Sequence, residues 1–161
     1  MLLEKIIYAN DLPINIKLAN ITEYPFHFHK DIEFIFVLKG NISLKNGCCT
    51  YELPEGSVFT SNGHEVHGFH CENSDNIVAI IQISNLFFTQ YFPNLPKSCY
   101  RTYTSEETDS RFDVLRQKLL LIIWEYLKRG SNYKSKCIDY TIQLIHYLNL
   151  NFNLFSFDKK R

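Results

Sequence analysis

The sequence predicts a mainly β fold, an antiparallel sandwich or barrel, followed by a pair of α-helices. Up to about residue 100 the chain consists of short segments rich in Ile, Val, Phe and Tyr, separated by turn residues, as is typical of half-buried strands. Asn46 and Gly47 form the strongest hairpin signal, because a type I′ turn needs positive φ at both central residues. After Pro93 and Pro96 the apolar residues recur at helical spacing instead.

Eight segments have the composition of strands. Because no helical pattern separates them, an antiparallel sandwich or barrel is favoured over a parallel sheet with interleaved helices. Asn62 and Gly63 mark a second turn between two of these segments. The predicted strands are 4–8, 14–21, 32–39, 42–45, 49–53, 57–60, 66–71 and 77–83.

Two helices are predicted in the C-terminal part. Thr104 and Glu107 have capping-box spacing, which would start the first helix ahead of its apolar stripe. Gly130 stands where a helix commonly ends. The first stripe contains Phe112, Leu115, Leu119, Ile122, Ile123 and Tyr126, and the second contains Ile138, Ile142, Ile145 and Leu148.

The first helix is too apolar for a single contact surface. Residues 119–124 are apolar on nearly every side, yet the run is far too short to span a bilayer. We therefore expect the helix, from about 108 to 129, to pack on the barrel and also to form a symmetric homodimer. The expected interface residues are Leu115, Leu119, Ile122, Ile123 and Tyr126, with Leu120, Ile123 and Leu127 as the alternative stripe if the barrel covers the first.

Composition limits the classes of function. The length of 161 residues suits one domain. Because 17 basic side chains balance 17 acidic ones and form no basic cluster, this chain is not expected to bind nucleic acid. The five cysteines include no Cys-x-x-Cys pair, and no secretory signal precedes them, which predicts a soluble cytoplasmic protein. Vicinal Cys48 and Cys49 are interpreted as ordinary small strand residues.

Motifs of common enzyme classes are absent from the sequence. It contains no Gly-x-Ser-x-Gly elbow, no phosphate-cradling glycine loop and no Gly-x-Gly-x-x-Gly. These absences argue against a hydrolase of that type and against a nucleotide-dependent enzyme.

Two histidines and a glutamate are the candidate metal-ligating residues of the sequence. His27 and His29 point to the same face of an extended strand, and Glu33 heads the next strand, where it can converge on them. Two imidazoles and a carboxylate inside a barrel suit a first-row transition metal with open positions for a substrate.

The spacing His-x-His-x3-Glu-x6-Gly resembles the first motif of the cupin family, with His27, His29, Glu33 and Gly40 at its four positions. Gly56 and His67 match the opening glycine and the metal-binding histidine of the second motif. The chain departs from the family pattern at Ile21 in the first motif and at Asn62, His64 and Cys71 in the second.

A further resemblance covers nearly the whole chain. Residues 26–69, "FHFHKDIEFIFVLKGNISLKNGCCTYELPEGSVFTSNGHEVHGF", are similar in order to the N-terminal cupin of AraC-family transcription regulators, and "ISNLFFTQYFPNL" resembles the segment that leaves the barrel there. The resemblance implies a small effector in the barrel, often without a metal, and dimerisation through the long helix. DNA would be bound only by a C-terminal domain that this chain does not contain.

The resemblance implies three regions: a cupin barrel at 1–103, a dimerising helical segment packed on it at 104–152, and a polar tail at 153–161 that could link to a DNA-binding half. The expected protein is a sensor and not an enzyme, with no metal because the second motif is incomplete. The alternative is a free-standing cupin dioxygenase or isomerase holding Fe, Mn, Ni or Zn through His27, His29, Glu33 and His67. The expected ligand contacts are His27, His29, Glu33, His67, Tyr24 and Ile35.

The remaining histidines receive structural assignments. His64 and His70 are expected at the surface, and His146 is expected to be structural. Strand alternation predicts that Ile35 and Val37 share the face of Glu33, whereas Phe34 and Phe36 do not.

Overall fold

A computed structural model describes residues 2–8, 12–72, 75–93, 95, 99–103 and 109–154. The chain divides into two compact units, Met1–Leu86 and Phe87–Arg161. The division falls earlier than the boundary at residue 103 predicted from the sequence. The predicted capping pair Thr104 and Glu107 and the polar end of the tail lie outside the described residues.

The first unit consists of two β-sheets. One has the order β1-β3-β8-β5-β6 and the other the order β2-β9-β4-β7. All strand pairs are antiparallel except β1 with β3. The strands are β1 (Leu2–Leu3), β2 (Ile14–Ala19), β3 (Glu23–Phe28), β4 (Ile32–Lys39), β5 (Asn41–Asn46), β6 (Cys49–Pro54), β7 (Val58–Ser61), β8 (His67–His70) and β9 (Ile77–Ile83).

Strand β4 is the central element for the site. It pairs with β7 and β9, and this register places Glu33 beside Ser61 on one side and Gln82 on the other. Its residues 32–37 are all buried, which fits its run of large apolar side chains. Alternation along this regular stretch puts Ile35 and Val37 on the Glu33 side of the sheet, as predicted.

One strand prediction at the N-terminus is wrong and one strand was missed. Residues 4–8 form no strand, and the two-residue β1 precedes them. Conversely, β3 was not predicted, because Glu23, Pro25 and His27 give it little strand propensity. Pairing of β3 with β8 decides its conformation, as tertiary context commonly does for strands.

The β5–β6 hairpin is confirmed, but its turn lies one residue later than predicted. Asn46 pairs with Cys49, so the two loop residues are Gly47 and Cys48. Positive φ occurs at Gly47 (φ 59°) and not at Asn46, which is the pattern of a type II′ turn and not of type I′. The second predicted turn is present, with Glu65 N–H donating to Asn62 O at 3.1 Å.

Helices form the second unit, with α1 (Asn85–Tyr91) at its junction with the first, followed by α2 (Ser110–Lys128) and α3 (Tyr133–Asn151). The Asp109 side chain caps α2 by accepting from Arg111 N–H at 2.9 Å. The residue that ends α2 in the left-handed conformation is Arg129 (φ 50°), so the predicted stop at Gly130 is one residue late. Helix α1 was not predicted.

Helices α2 and α3 pack against each other. Phe112, Leu115, Leu119 and Ile122 are buried on α2, and α3 buries Cys137, Leu144, Ile145 and Leu148. None of the described helices is long and apolar enough to cross a membrane.

Two glycines with left-handed φ should respond differently to alanine. Gly40 (φ 74°) has the Asp75 carbonyl oxygen 2.5 Å from where a Cβ would lie, whereas Gly47 (φ 59°) has nothing within 4 Å. We expect Gly47→Ala to cost about 1–2 kcal/mol of stability for the conformation alone, and Gly40→Ala to cost clearly more because backbone must also shift. Urea denaturation of both variants tests this, and equal losses would contradict it.

Candidate functional site

A cluster of four buried polar side chains lies between the two sheets. His27 and His67 come from the paired strands β3 and β8, Glu33 comes from β4 in the other sheet, and His29 follows β3. All four are at most 2% exposed. One possible ligand atom from each lies within 4.8 Å of all the others, so the four residues of the predicted motif do converge.

The histidine rings are oriented by the backbone. Nδ1 of His27, His29 and His67 lies 3.0 Å from the carbonyl oxygens of Pro25, Asp31 and Glu65, respectively. A carbonyl oxygen can only accept a hydrogen bond, so Nδ1 is the donor in each pair. The other ring nitrogen, Nε2, is then left to face the centre of the cluster.

Glu33 is the centre of the hydrogen-bond network. Its carboxylate oxygens lie 3.3 Å from His29 Nε2 and 3.2 Å from His67 Nε2. Gln82 Nε2 donates to Glu33 Oε2 at 2.7 Å, and Gln82 Oε1 accepts from Asn15 Nδ2 at 2.8 Å. The Glu33 side chain is therefore held by Gln82 of the neighbouring strand β9 as well as by the histidines, and Asn15 of β2 in turn holds Gln82.

The N-terminal segment adds a second carboxylate at the edge of the cluster. Glu4 Oε2 lies 3.3 Å from His27 Nε2, and Glu4 Oε1 accepts from the Tyr24 hydroxyl at 3.3 Å. Backbone pairing of Glu4 N–H with Phe28 O at 3.0 Å holds this segment beside β3. Tyr8 lies nearby, and burial and the carboxylates of Asp31 and Glu33 raise the pKa of its hydroxyl far above the usual range.

Burial and charge set the protonation states. Burial opposes ionisation of Glu33, but the imidazoles of His29 and His67 beside it hold the pKa of that carboxyl well below its usual range. Burial also opposes the charge on His29, yet Glu33 raises the pKa of this imidazole. Burial and the neighbouring His67 lower the pKa of His27. Glu33 therefore favours the charged form of His29 more than that of His27.

The side of the cluster that the Nε2 atoms face is rich in hydrogen-bond acceptors. With each Nδ1 protonated, neutral histidines present three Nε2 lone pairs to a carboxylate, and all of these groups are acceptors. His29 Nε2 is a buried atom without a hydrogen-bond partner of good geometry, although Glu33 Oε2 is close. Either protons or a metal ion must therefore occupy the Nε2 side.

The donor set fits a divalent transition metal. Ligands about 2.1 Å from one ion lie at most roughly 4.2 Å apart, so the observed limit of 4.8 Å needs only a small inward movement. Imidazoles held through Nδ1 by backbone carbonyls are the usual arrangement around such ions. The departures at Asn62, His64 and Cys71 lie outside the cluster, so they do not remove a ligand.

The other predicted ligand contacts differ in position. Tyr24 is 40% exposed and packs its ring edge-on to His27, with centroids 4.7 Å apart. Ile35 is fully buried on the Glu33 side of β4. His64 and His70 are exposed, as predicted. His146 is also exposed, and its ring lies edge-on to Phe92.

Sequence reasoning missed several residues of the site. Gln82 interrupts an otherwise apolar strand, and a polar side chain in such a strand is a signal that could have identified it. Ser61, whose Oγ lies 2.9 Å from His67 Nδ1, gives no comparable signal. Glu4 was assigned to a strand that does not form.

The predicted dimer residues on α2 are mostly covered within the chain. Leu115, Leu119, Ile122 and Ile123 are buried, and Tyr126 is half-buried. The alternative stripe is partly exposed: Leu120 is 46% and Leu127 51% exposed, while Ile123 is buried. The two neighbours of Leu120 and Leu127 on that side, Leu121 and Trp124, are 45% and 61% exposed.

Residues 17–83 match the family model described as a cupin domain. The match covers less than half of the chain but includes all four residues of the cluster. Together with the two β-sheets and the two C-terminal helices, it confirms the fold class predicted from the sequence. No curated protein matches the chain by sequence.

Solved structures with partial similarity include a protein from Neisseria meningitidis, at 18% identity and TM-score 0.41, over 50% of this chain and 81% of that one. Oxalate decarboxylase from Bacillus subtilis aligns at 11% identity and TM-score 0.43, over 46% of this chain and 22% of that one. An RmlC-like cupin from Methanocaldococcus jannaschii aligns at 15% identity and TM-score 0.39, over 50% of this chain and 91% of that one. At such low identity and TM-score, these similarities do not indicate an activity for the chain.

Proposed function

We propose that this chain is the effector-binding and dimerisation module of an AraC-type transcription regulator. The observation that carries the proposal is the buried Glu33 network between the sheets, followed in the chain by a helix with an exposed apolar face. A buried cluster of polar groups among apolar side chains is the usual mark of a small-molecule site. DNA would then be bound by a separate part of the regulator.

The chemistry of the site selects the kind of effector. Glu33 and Glu4 are acceptors that lie close to His29 and His27, respectively. A ligand must therefore bring hydrogen-bond donors, so hydroxyl-rich or amine-bearing molecules fit, whereas anions would meet repulsion.

A thermal-shift screen with neutral sugars, polyols, amines and carboxylates tests this proposal. At 100 times its Kd a ligand adds about 2.7 kcal/mol to the stability of the folded chain. We expect hits among the neutral and amine-bearing molecules, with the rise in Tm abolished by Glu33→Gln and retained by Glu52→Gln on the exposed side of β6. A hit that stabilises Glu33→Gln as much as the parent would place its site elsewhere and contradict the proposal.

The exposed face of α2 supports dimerisation with a second copy. Val114, Leu121 and Trp124 follow helical spacing along it. If two α2 helices cross antiparallel with the centre between Leu120 and Leu121, Asp113 of one chain lies opposite Lys128 of the partner subunit. This self-complementary pattern is what a two-fold axis requires.

A second function, a metal-dependent cupin enzyme, is favoured by a different observation. The three Nε2 atoms and Glu33 form a set of acceptors that a divalent metal would satisfy. The residues that would hold the ion are His27, His29, Glu33 and His67, and a metal there would supply Lewis-acid chemistry toward a bound oxygen. The chain's own contribution is to hold the three imidazoles through Nδ1 and to keep water from the buried cluster.

Metal content separates the two functions. For a metal centre we expect about one equivalent of Fe, Mn, Ni or Zn per chain after equilibration and gel filtration, measured by elemental analysis. His67→Ala should abolish it, whereas His70→Ala on the same strand should not, because His70 faces solvent. If the parent retains less than about 0.1 equivalent of metal, the metal-dependent function is contradicted and the sensor function remains.

A further inference from the structure

The tip of the β5–β6 hairpin carries two exposed thiols. Cys48 and Cys49 are both free and exposed; Cys49 begins strand β6, as the sequence suggested, whereas Cys48 lies in the turn. Their sulfur atoms lie 3.9 Å apart. Successive residues of a regular strand point to opposite faces, but Cys48 belongs to the turn, and this brings both sulfurs to one side.

The spacing of the sulfurs suits chelation better than a disulfide. Adjacent Cα atoms are about 3.8 Å apart, which is shorter than the roughly 4.4–6.8 Å found across disulfides. With metal–sulfur bonds of about 2.3 Å, sulfurs 3.9 Å apart subtend an angle between tetrahedral and trigonal values at one ion. Little side-chain movement is needed to close such a chelate.

The backbone around the pair is held in place. Asn46 pairs with Cys49 in one ladder and with His67 in another, and Gly47 N–H donates to Val66 O at 2.9 Å. The two thiols are therefore presented by a paired hairpin and not by a free loop. A preformed pair loses less conformational entropy on binding.

We propose that Cys48 and Cys49 form a binding site for a soft, thiophilic metal ion, and that Cu(I) is the ion they fit. Thiolates select soft ions such as Cu(I) and Zn. A structural zinc site takes four protein ligands, and this tip offers two, whereas Cu(I) is stable with two or three. The open position faces solvent, where water or a small thiol completes the coordination.

The test uses the full reduced chain, Cu(I) under anaerobic conditions and a chromophoric Cu(I) chelator as competitor. We expect the chain to withdraw one equivalent from the chelator and to develop sulfur-to-copper charge-transfer absorption. Cys48→Ser and Cys49→Ser should each weaken the affinity by at least about 100-fold, the upper end of the loss seen when only a hydrogen-bonding partner of a ligand is removed.

Two controls separate this site from other thiols and from other exposed donors. Cys99→Ser should bind Cu(I) as the parent does, and so should His70→Ala, whose side chain is exposed on β8. Failure of the parent to compete with the chelator, unchanged affinity in both hairpin variants, or loss of Cu(I) in His70→Ala would each overturn the proposal. None of these outcomes depends on whether the barrel binds an effector.

Discussion

Replacing Glu33 with alanine should be among the most destabilising single changes in the first unit. The carboxylate is 1% exposed, lies 3.3 Å from His29 Nε2 and accepts from Gln82 at 2.7 Å. Removing it leaves an imidazole and an amide buried without their partner. Breaking a buried pair in this way costs about 3–5 kcal/mol, which denaturant unfolding of the metal-free chain would measure.

Two matched variants identify the cause of the loss. Glu33→Gln keeps the volume and one acceptor oxygen for Gln82, so it should lose less than Glu33→Ala and isolate the effect of charge. Glu52→Ala removes the same side chain from an exposed position on β6 and should stay within about 0.5 kcal/mol of the parent. If Glu33→Ala also lost no more than about 0.5 kcal/mol of stability, the hydrogen-bond network around Glu33 would be contradicted.

The difference in stability between the parent and Glu33→Gln should depend on pH. The pKa of Glu33 is lowered from 4.5, so its contribution is present above pH 4.5 and is lost as the pH falls toward the folded value. The pKa of His29 is raised from 6.5, so its contribution is present below pH 6.5 and is lost as the pH rises through the folded value. The difference should therefore be largest between pH 4.5 and 6.5.

The sequence was sufficient to predict which side chains form the buried cluster. His27 lies near the end of β3 and His29 directly after that strand, while Glu33 heads a strand whose apolar run shows that it is buried. His67 comes from a distant strand, and only the cupin resemblance indicated that it would join the others. Gln82 and Ser61 could not be predicted, because their positions depend on the register of β9 and β7 against β4.

The errors share a physical cause. Segment 4–8 has strand composition but forms no strand beyond the bond from Glu4 N–H to Phe28 O, and β3 has poor strand composition but pairs with β8. In both cases long-range pairing decides the conformation, and local propensity does not report it. The α2 stripe shows the same limit: periodicity identified an apolar helix, but not which of its sides α3 would cover.

If the chain dimerises through α2 as proposed, charge introduced on the exposed face of this helix should dissociate the dimer. Leu121 and Trp124 lie near the middle of that face, 45% and 61% exposed in the single chain. A central aromatic or leucine anchor commonly contributes about 2 kcal/mol or more, and an aspartate there also brings an unpaired buried charge. We expect Leu121→Asp to raise the dimer Kd by at least about 100-fold, measured by analytical ultracentrifugation.

A matched control and a charge swap distinguish this interface from general effects. Leu150, 82% exposed on α3, lies off the stripe, so Leu150→Asp should sediment as the parent does. Lys128→Asp should weaken the proposed antiparallel dimer, because Asp113 of the partner subunit would then face a like charge, and adding Asp113→Lys should restore it. A monomeric parent at micromolar concentration, or a dimer indifferent to Leu121→Asp, would exclude α2 as the contact between two copies and leave its exposed leucines and Trp124 to another partner.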